Sequence, residues 1–136
     1  MYQVQRNNRI IEQLQLIDKK RDVTCTLDVD INLDRVGAKI SHANELVQMA
    51  YSAAKKDPEN PALYDACAEA TLALITAVFG EDGCKQIVDF YEGPESWLEM
   101  LVGLFKFIND VIIPQVNEAS AERKKQLLEM SKALRK

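Results

Sequence analysis

The chain is poor in the residues that carry chemistry. It has one histidine, His42, and three cysteines, Cys25, Cys67 and Cys84, in 136 residues. The cysteines are odd in number, widely spaced and without a CxxC pair, so neither a zinc site nor a disulfide framework is indicated, and buried free thiols are expected. No serine or cysteine motif accompanies His42, which reads as a solvated helix residue. The glycine-containing "GEDG" at 80–83 lacks the lysine and Ser/Thr of a phosphate loop, and its carboxylates would repel phosphate. No apolar run of the roughly 18 residues needed to span a bilayer stands out. The N-terminus "MYQVQRNNRI" lacks the apolar centre of a signal peptide, so a cytoplasmic protein without membrane contact is expected. Positive charge is short too: seventeen basic against twenty-one acidic residues give a formal charge of −4. That argues against the basic footprint of a nonspecific nucleic-acid binder. No catalytic group, metal or cofactor is indicated, and a non-enzymatic protein is expected.

What the chain does have is periodicity. "DVDINLDRVG" (28–37) imitates the start of a calcium loop, but Leu33 stands where such a loop needs glycine. Lys39 stands where it needs a bidentate glutamate. Extending the window leftward resolves the pattern. Val23, Cys25, Leu27, Val29 and Ile31 alternate with Thr24, Thr26, Asp28, Asp30 and Asn32, which is a half-buried strand with carboxylates on its wet face. Asp28 and Asp30 as an acid–base pair find no apolar surroundings that would raise a pKa. "RIIEQLQLI" fits either a strand or a helix, and "DKKRD" is a polar turn, so an antiparallel hairpin results. A further strand at Tyr2–Gln5, joined across Asn7-Asn8, would make it a three-strand meander.

After Asn32, a candidate N-cap, the period becomes helical. Val36, Ile40, Ala43, Val47, Ala50 and Ala54 form the stripe of a helix ending near "KKDPEN". Asn60 caps the next helix, with Pro61 at its first position and Leu63, Cys67, Ala70, Leu74 and Val78 on its core face. Gly80 ends it, Asp82 is a candidate N-cap, and a short helix carries Cys84, Ile87, Val88 and Tyr91 up to Gly93-Pro94. A strongly apolar helix follows, with Trp97, Leu101, Leu104, Ile108 and Val111 in its stripe, until Pro114 kinks or ends it. The tail "QVNEASAERKKQLLEMSKALRK" is helical with a thin apolar face. The expected fold is α+β and mainly helical: a β-hairpin or meander over 1–32, then four to five helices. Residues 33–113 form the helical core of the same domain and 114–136 a charged amphipathic helix. Charge divides unevenly, with six carboxylates and one lysine from Glu81 to Glu99, and six basic and three acidic residues from Glu118 onward. Such asymmetry can steer contact with a charged protein surface.

This order of elements resembles a known family. "RIIEQLQLIDKKRDVTCTLDVDIN" resembles the N-terminal hairpin, and "ALITAVFGEDGCKQIVDFYEGPESWLEMLVGLFKFINDVI" the helical half, of tail assembly chaperones from long-tailed phages and prophages of Gram-positive bacteria. The likeness covers residues 10–113 and lies in order and texture. It implies a chaperone that binds the phage tape measure protein and tail tube protein during assembly and is not expected in the mature virion. In many such phages a frameshift makes a second, longer form. Amphipathic helices of a tape measure protein would dock through apolar anchors. The residues expected to meet them are Phe79, Tyr91 and Trp97 as aromatic anchors, the apolar run after Gly93, and Lys124, Lys125, Leu127, Leu128 and Leu134 of the tail. The alternative is a regulatory or adaptor protein that binds a host protein through its helical surface. The alanine-lined first helix and the tail also permit a homo-oligomer.

Overall fold

The computed structural model describes residues 1–4 and 8–135. The chain opens on β1 (Arg9–Asp18) and β2 (Val23–Asn32), antiparallel partners in a two-stranded sheet among the described residues. The register sets Ile10 opposite Ile31, Leu14 opposite Leu27 and Leu16 opposite Cys25. Ile10, Leu16, Leu27, Val29 and Ile31 are buried on this inner face. Ile11 and Ile17 lie on the outer face at 73% and 58% exposure. Having isoleucines on both faces is what lets "RIIEQLQLI" satisfy a helix pattern as well as a strand. Of the hairpin and the meander, the structure shows the hairpin: Tyr2–Val4 lie outside the sheet, while Gln5 and Asn7 fall outside the described residues.

The tip of the hairpin is tied down. Asp18 accepts the backbone N–H groups of Lys20 and Arg21 at 3.1 and 3.2 Å, and the Arg21 Nε at 2.6 Å. The Arg21 guanidinium holds the Asp18 carboxyl below the usual carboxylate range. Arg21 also donates to the Phe90 carbonyl and lies 5.7 Å from the centroid of the Phe90 ring. The far end of the hairpin leads straight into α1 (Leu33–Lys56), where the Asn32 side chain caps the Asp34 N–H at 3.1 Å. That bond satisfies one of the donors that a helix start leaves orphaned. Leu33, Ile40, Ala43, Val47 and Ala54 are buried, so the alanine-rich stripe faces inward.

α2 (Pro61–Phe90) starts under an Asn60 cap with Pro61 in its first turn. It contains an 18-residue window of mean hydropathy 1.5, long and apolar enough to cross a membrane by length and composition. Asp65 and Glu69 both fall within that stretch, so it is not an uninterrupted apolar run. In the fold Cys67, Leu74, Ile75, Val78 and Ile87 of this helix are buried in the core. Gly80 breaks the helix with φ 79° and ψ 174°, and the second segment continues at once, so Asp82 lies inside it and does not cap it. α2 closes in a Schellman arrangement, Gly93 N–H to the Val88 carbonyl and Glu92 N–H to that of Asp89, with Glu92 left-handed at φ 65°.

A short 3₁₀ turn (Pro94–Ser96) leads into α3 (Trp97–Phe107). Residues Ile108–Ile112 then widen into a π turn, and α4 (Ile113–Leu134) carries on with Pro114 in its first turn. A proline inside a helix clashes with the carbonyl four residues earlier, here Asp110, which sits in the widened turn. Pro114 is thus accommodated by a wide turn, and the path does not end. α4 packs on α1 through Val116 and Ala119, both buried. Its Arg123 donates to the Leu33 carbonyl at 3.2 Å and lies 3.5 Å from Asp34. Beyond Arg123 every described residue is exposed.

Two outcomes follow from this packing. A Cβ at residue 80 would meet nothing within 4 Å, so Gly80→Ala carries only backbone strain. It should destabilise the fold by ~1–3 kcal/mol in chemical denaturation, and an unchanged midpoint would show that the break relaxes. Cys67 is 2% exposed, and burial also pushes its thiol up. Alkylation of the native protein at neutral pH should therefore modify Cys25 and Cys84 before Cys67, read by peptide mass mapping.

Candidate interaction surface

An open cleft of about 430 Å³ lies between the end of β2, the start of α1 and the break in α2. Arg9, Asp28, Asp30, Arg35 and Lys39 rim it, over Thr76 to Gly80. Its carboxylates are engaged: Asp30 accepts from Arg9 at 2.5 Å and Asp28 from the Gln13 amide at 2.9 Å. Both carboxylates lie on the wet outer face of the hairpin. Among the described residues no three His, Cys, Asp or Glu side chains converge as a metal site would require. His42 is exposed on α1.

The aromatic residues expected as anchors are half-buried and packed against the core. Phe79 stacks on Phe107 with centroids 6.1 Å apart, and Trp97 lies 6.5 Å from Tyr64. Tyr91 meets Phe90 edge-on at 5.2 Å. Burial, helped by the negative charge of Glu99, pushes the Tyr91 phenol up. A Cβ on Gly103 would fall 2.6 Å from the Tyr91 hydroxyl oxygen, so α3 approaches Tyr91 closely because residue 103 is glycine. All three rings hold helices together.

The tail residues are placed differently. Leu127, Leu128 and Leu134 are 65%, 60% and 79% exposed, and Met130 is 57% exposed. Lys124 and Lys125 are exposed beside them. Leu127, Met130 and Leu134 recur at helical spacing, so the last turns of α4 present an apolar stripe with basic flanks.

A second stripe was not singled out by residue in the sequence, although it belongs to the apolar run after Gly93. Leu98, Val102 and Phe105 of α3 are 48%, 70% and 53% exposed, while Met100, Leu101 and Leu104 are buried. α3 is apolar on nearly every side, and such a helix gives no internal sign of which face is covered. The only available signal was the excess of large apolar residues over one buried stripe. Exposed apolar clusters of this kind on a packed domain mark contact sites.

Truncations should separate the two groups. Phe79→Ala, which removes a ring stacked in the helix interface, should cost about 2–4 kcal/mol by urea unfolding. Leu128→Ala and Leu134→Ala should stay within roughly 0.5 kcal/mol of the parent. A large loss on truncating either leucine would place the tail inside the fold. Comparison of the chain with protein-family models, curated proteins and solved structures returns no match.

Proposed function

We propose that this protein is a non-enzymatic tail assembly chaperone, acting in the cytoplasm of a bacterial host during phage or prophage tail assembly. The observation that carries the reading is the pair of exposed apolar stripes, Leu98/Val102/Phe105 on α3 and Leu127/Met130/Leu134 on α4. Each runs along a helix at the spacing by which amphipathic helices pair, and a tape measure protein offers long helices of that kind. The order of elements that resembles the chaperone family is also the order of the fold, a hairpin followed by helices. Tape measure helices would lie across these stripes, with tail tube subunits as the second partner. Lys124 and Lys125, at the start of the free part of α4, would steer the encounter with an acidic partner surface.

The test is recovery of partners from cells in which the source prophage is induced, with mass spectrometry of the eluate and of purified virions. Tape measure and tail tube proteins in the eluate, with this protein missing from virions, would support the chaperone reading. A fixed ratio in virions would make it a structural tail component, and a host factor alone would favour the adaptor. The double reversal Lys124→Glu/Lys125→Glu should slow association with the tape measure protein several-fold at low salt, with less effect on dissociation. An unchanged rate and unchanged salt dependence would remove these lysines from the steering surface.

A further inference from the structure

The two exposed stripes are chemically complementary. Leu98, Val102 and Phe105 share α3 with the exposed Glu99 and follow the exposed Glu92 and Glu95. They lie at the end of the stretch from Glu81 to Glu99 that holds six carboxylates and one lysine. Leu127, Met130 and Leu134 stand among exposed Lys124, Lys125, Lys132 and Arg135, with one exposed carboxylate, Glu129, between them. The steps between residues along the two stripes are also the same, in reversed order, so they match when two helices lie antiparallel. α3, the π turn and α4 form one unbroken helical path. Along it the stripes are roughly 33 Å apart, at about 1.5 Å per residue. A continuous helix keeps a molecule's tail away from its own α3, which leaves a second molecule as the place where the two can meet.

We propose that the end of α4 in one copy docks antiparallel on α3 of a second copy of this chain. Leu134 meets Leu98, Met130 meets Val102 and Leu127 meets Phe105. This register sets Lys132 and Arg135 beside Glu99 and Glu95. Lys106 falls near Lys125 and subtracts from the attraction, so the contact is weak and salt-sensitive, since all these charges are exposed. A target helix bound to either stripe competes with this self-association. That competition rests on the proposed assembly role, whereas the contact between copies does not.

The experiment uses the full chain and two exposed-site variants, Val102→Asp in the face and Met130→Asp in the tail. Each is checked for native circular dichroism and then weighed by sedimentation velocity from micromolar to hundreds of micromolar. The parent should exceed monomer mass at low salt and return to monomer as salt rises. Each variant alone should remain monomeric. An equimolar mixture should recover a dimer, because one variant keeps an intact tail and the other an intact face. A monomeric parent at every concentration would overturn the proposal, and so would a mixture that stays monomeric. If an aspartate disturbs folding, Val102→Ser and Met130→Ser carry the same test. In a second pairing, Glu95→Lys/Glu99→Lys should weaken association about tenfold, and mixing it with Lys132→Glu/Arg135→Glu should restore it. Restoration shows that these charges act between the tail of one copy and the face of another, and its absence would sink the charge pairing on which the proposal rests. Partner recovery from induced cells is read separately, so failure of the assembly role leaves this result interpretable.

Discussion

An isolated two-stranded hairpin is marginal in water, because half of its side chains have nothing to cover them. In this protein that half is Ile10, Leu16, Leu27, Val29 and Ile31, and their burial governs how the rest is laid out. The helices supply the cover: α2 lies along β2, and α1 starts from its last residue. Arg21 then pins the open tip through the Phe90 carbonyl and Glu92. At the other end Leu33 donates its N–H to the Asn8 carbonyl, and Arg123 reaches in from α4 to the Leu33 carbonyl. Strand, helix start and final helix therefore share one corner, held by backbone groups that would otherwise be left unpaired.

Three backbone devices direct the helices around that core. Gly80 takes a conformation that an L side chain resists, and turns α2 without ending it. Glu92 and Gly93 end α2 with both of its last carbonyl bonds made, so the chain reverses into α3. The π turn before Pro114 gives the ring room and lets the helix pass through. The first two redirect the chain around the core. The third sends α4 past α1 and out beyond it, which is why its last turns carry apolar residues that are exposed among the described residues.

The division between buried and exposed apolar residues follows from the same geometry. Phe79, Tyr91 and Trp97 are large, half-buried and shared between helices, so their energy goes into the fold. Leu98, Val102 and Phe105 lie on the side of α3 turned away from Met100, Leu101 and Leu104. A helix can give the core only one face, and α3 has apolar residues for more than one. What is left over at α3 and at the end of α4 differs in charge, and that difference supports a contact between copies.

Much of the fold was legible residue by residue. Alternation from Val23 to Ile31 marked β2, Asn32 and Asn60 marked two helix starts, and Gly80 and Gly93 marked the breaks, because each rests on local backbone chemistry. The state of Arg9–Ile17 was open in the sequence, since its isoleucines fit two periods, and pairing with β2 decided it. The candidate surface was legible only in outline. Exposed leucines in the tail followed from a thin apolar face, whereas the α3 stripe did not, because an all-round apolar helix looks the same from every side. Local chemistry set β2, the two Asn-capped helix starts, the glycine breaks and the uneven spread of charge, all of which depend on neighbours within a few residues. Which face of α3 is spent on the core, and whether Arg9–Ile17 is a strand, emerged from packing alone, because burial and strand pairing depend on groups far away along the chain.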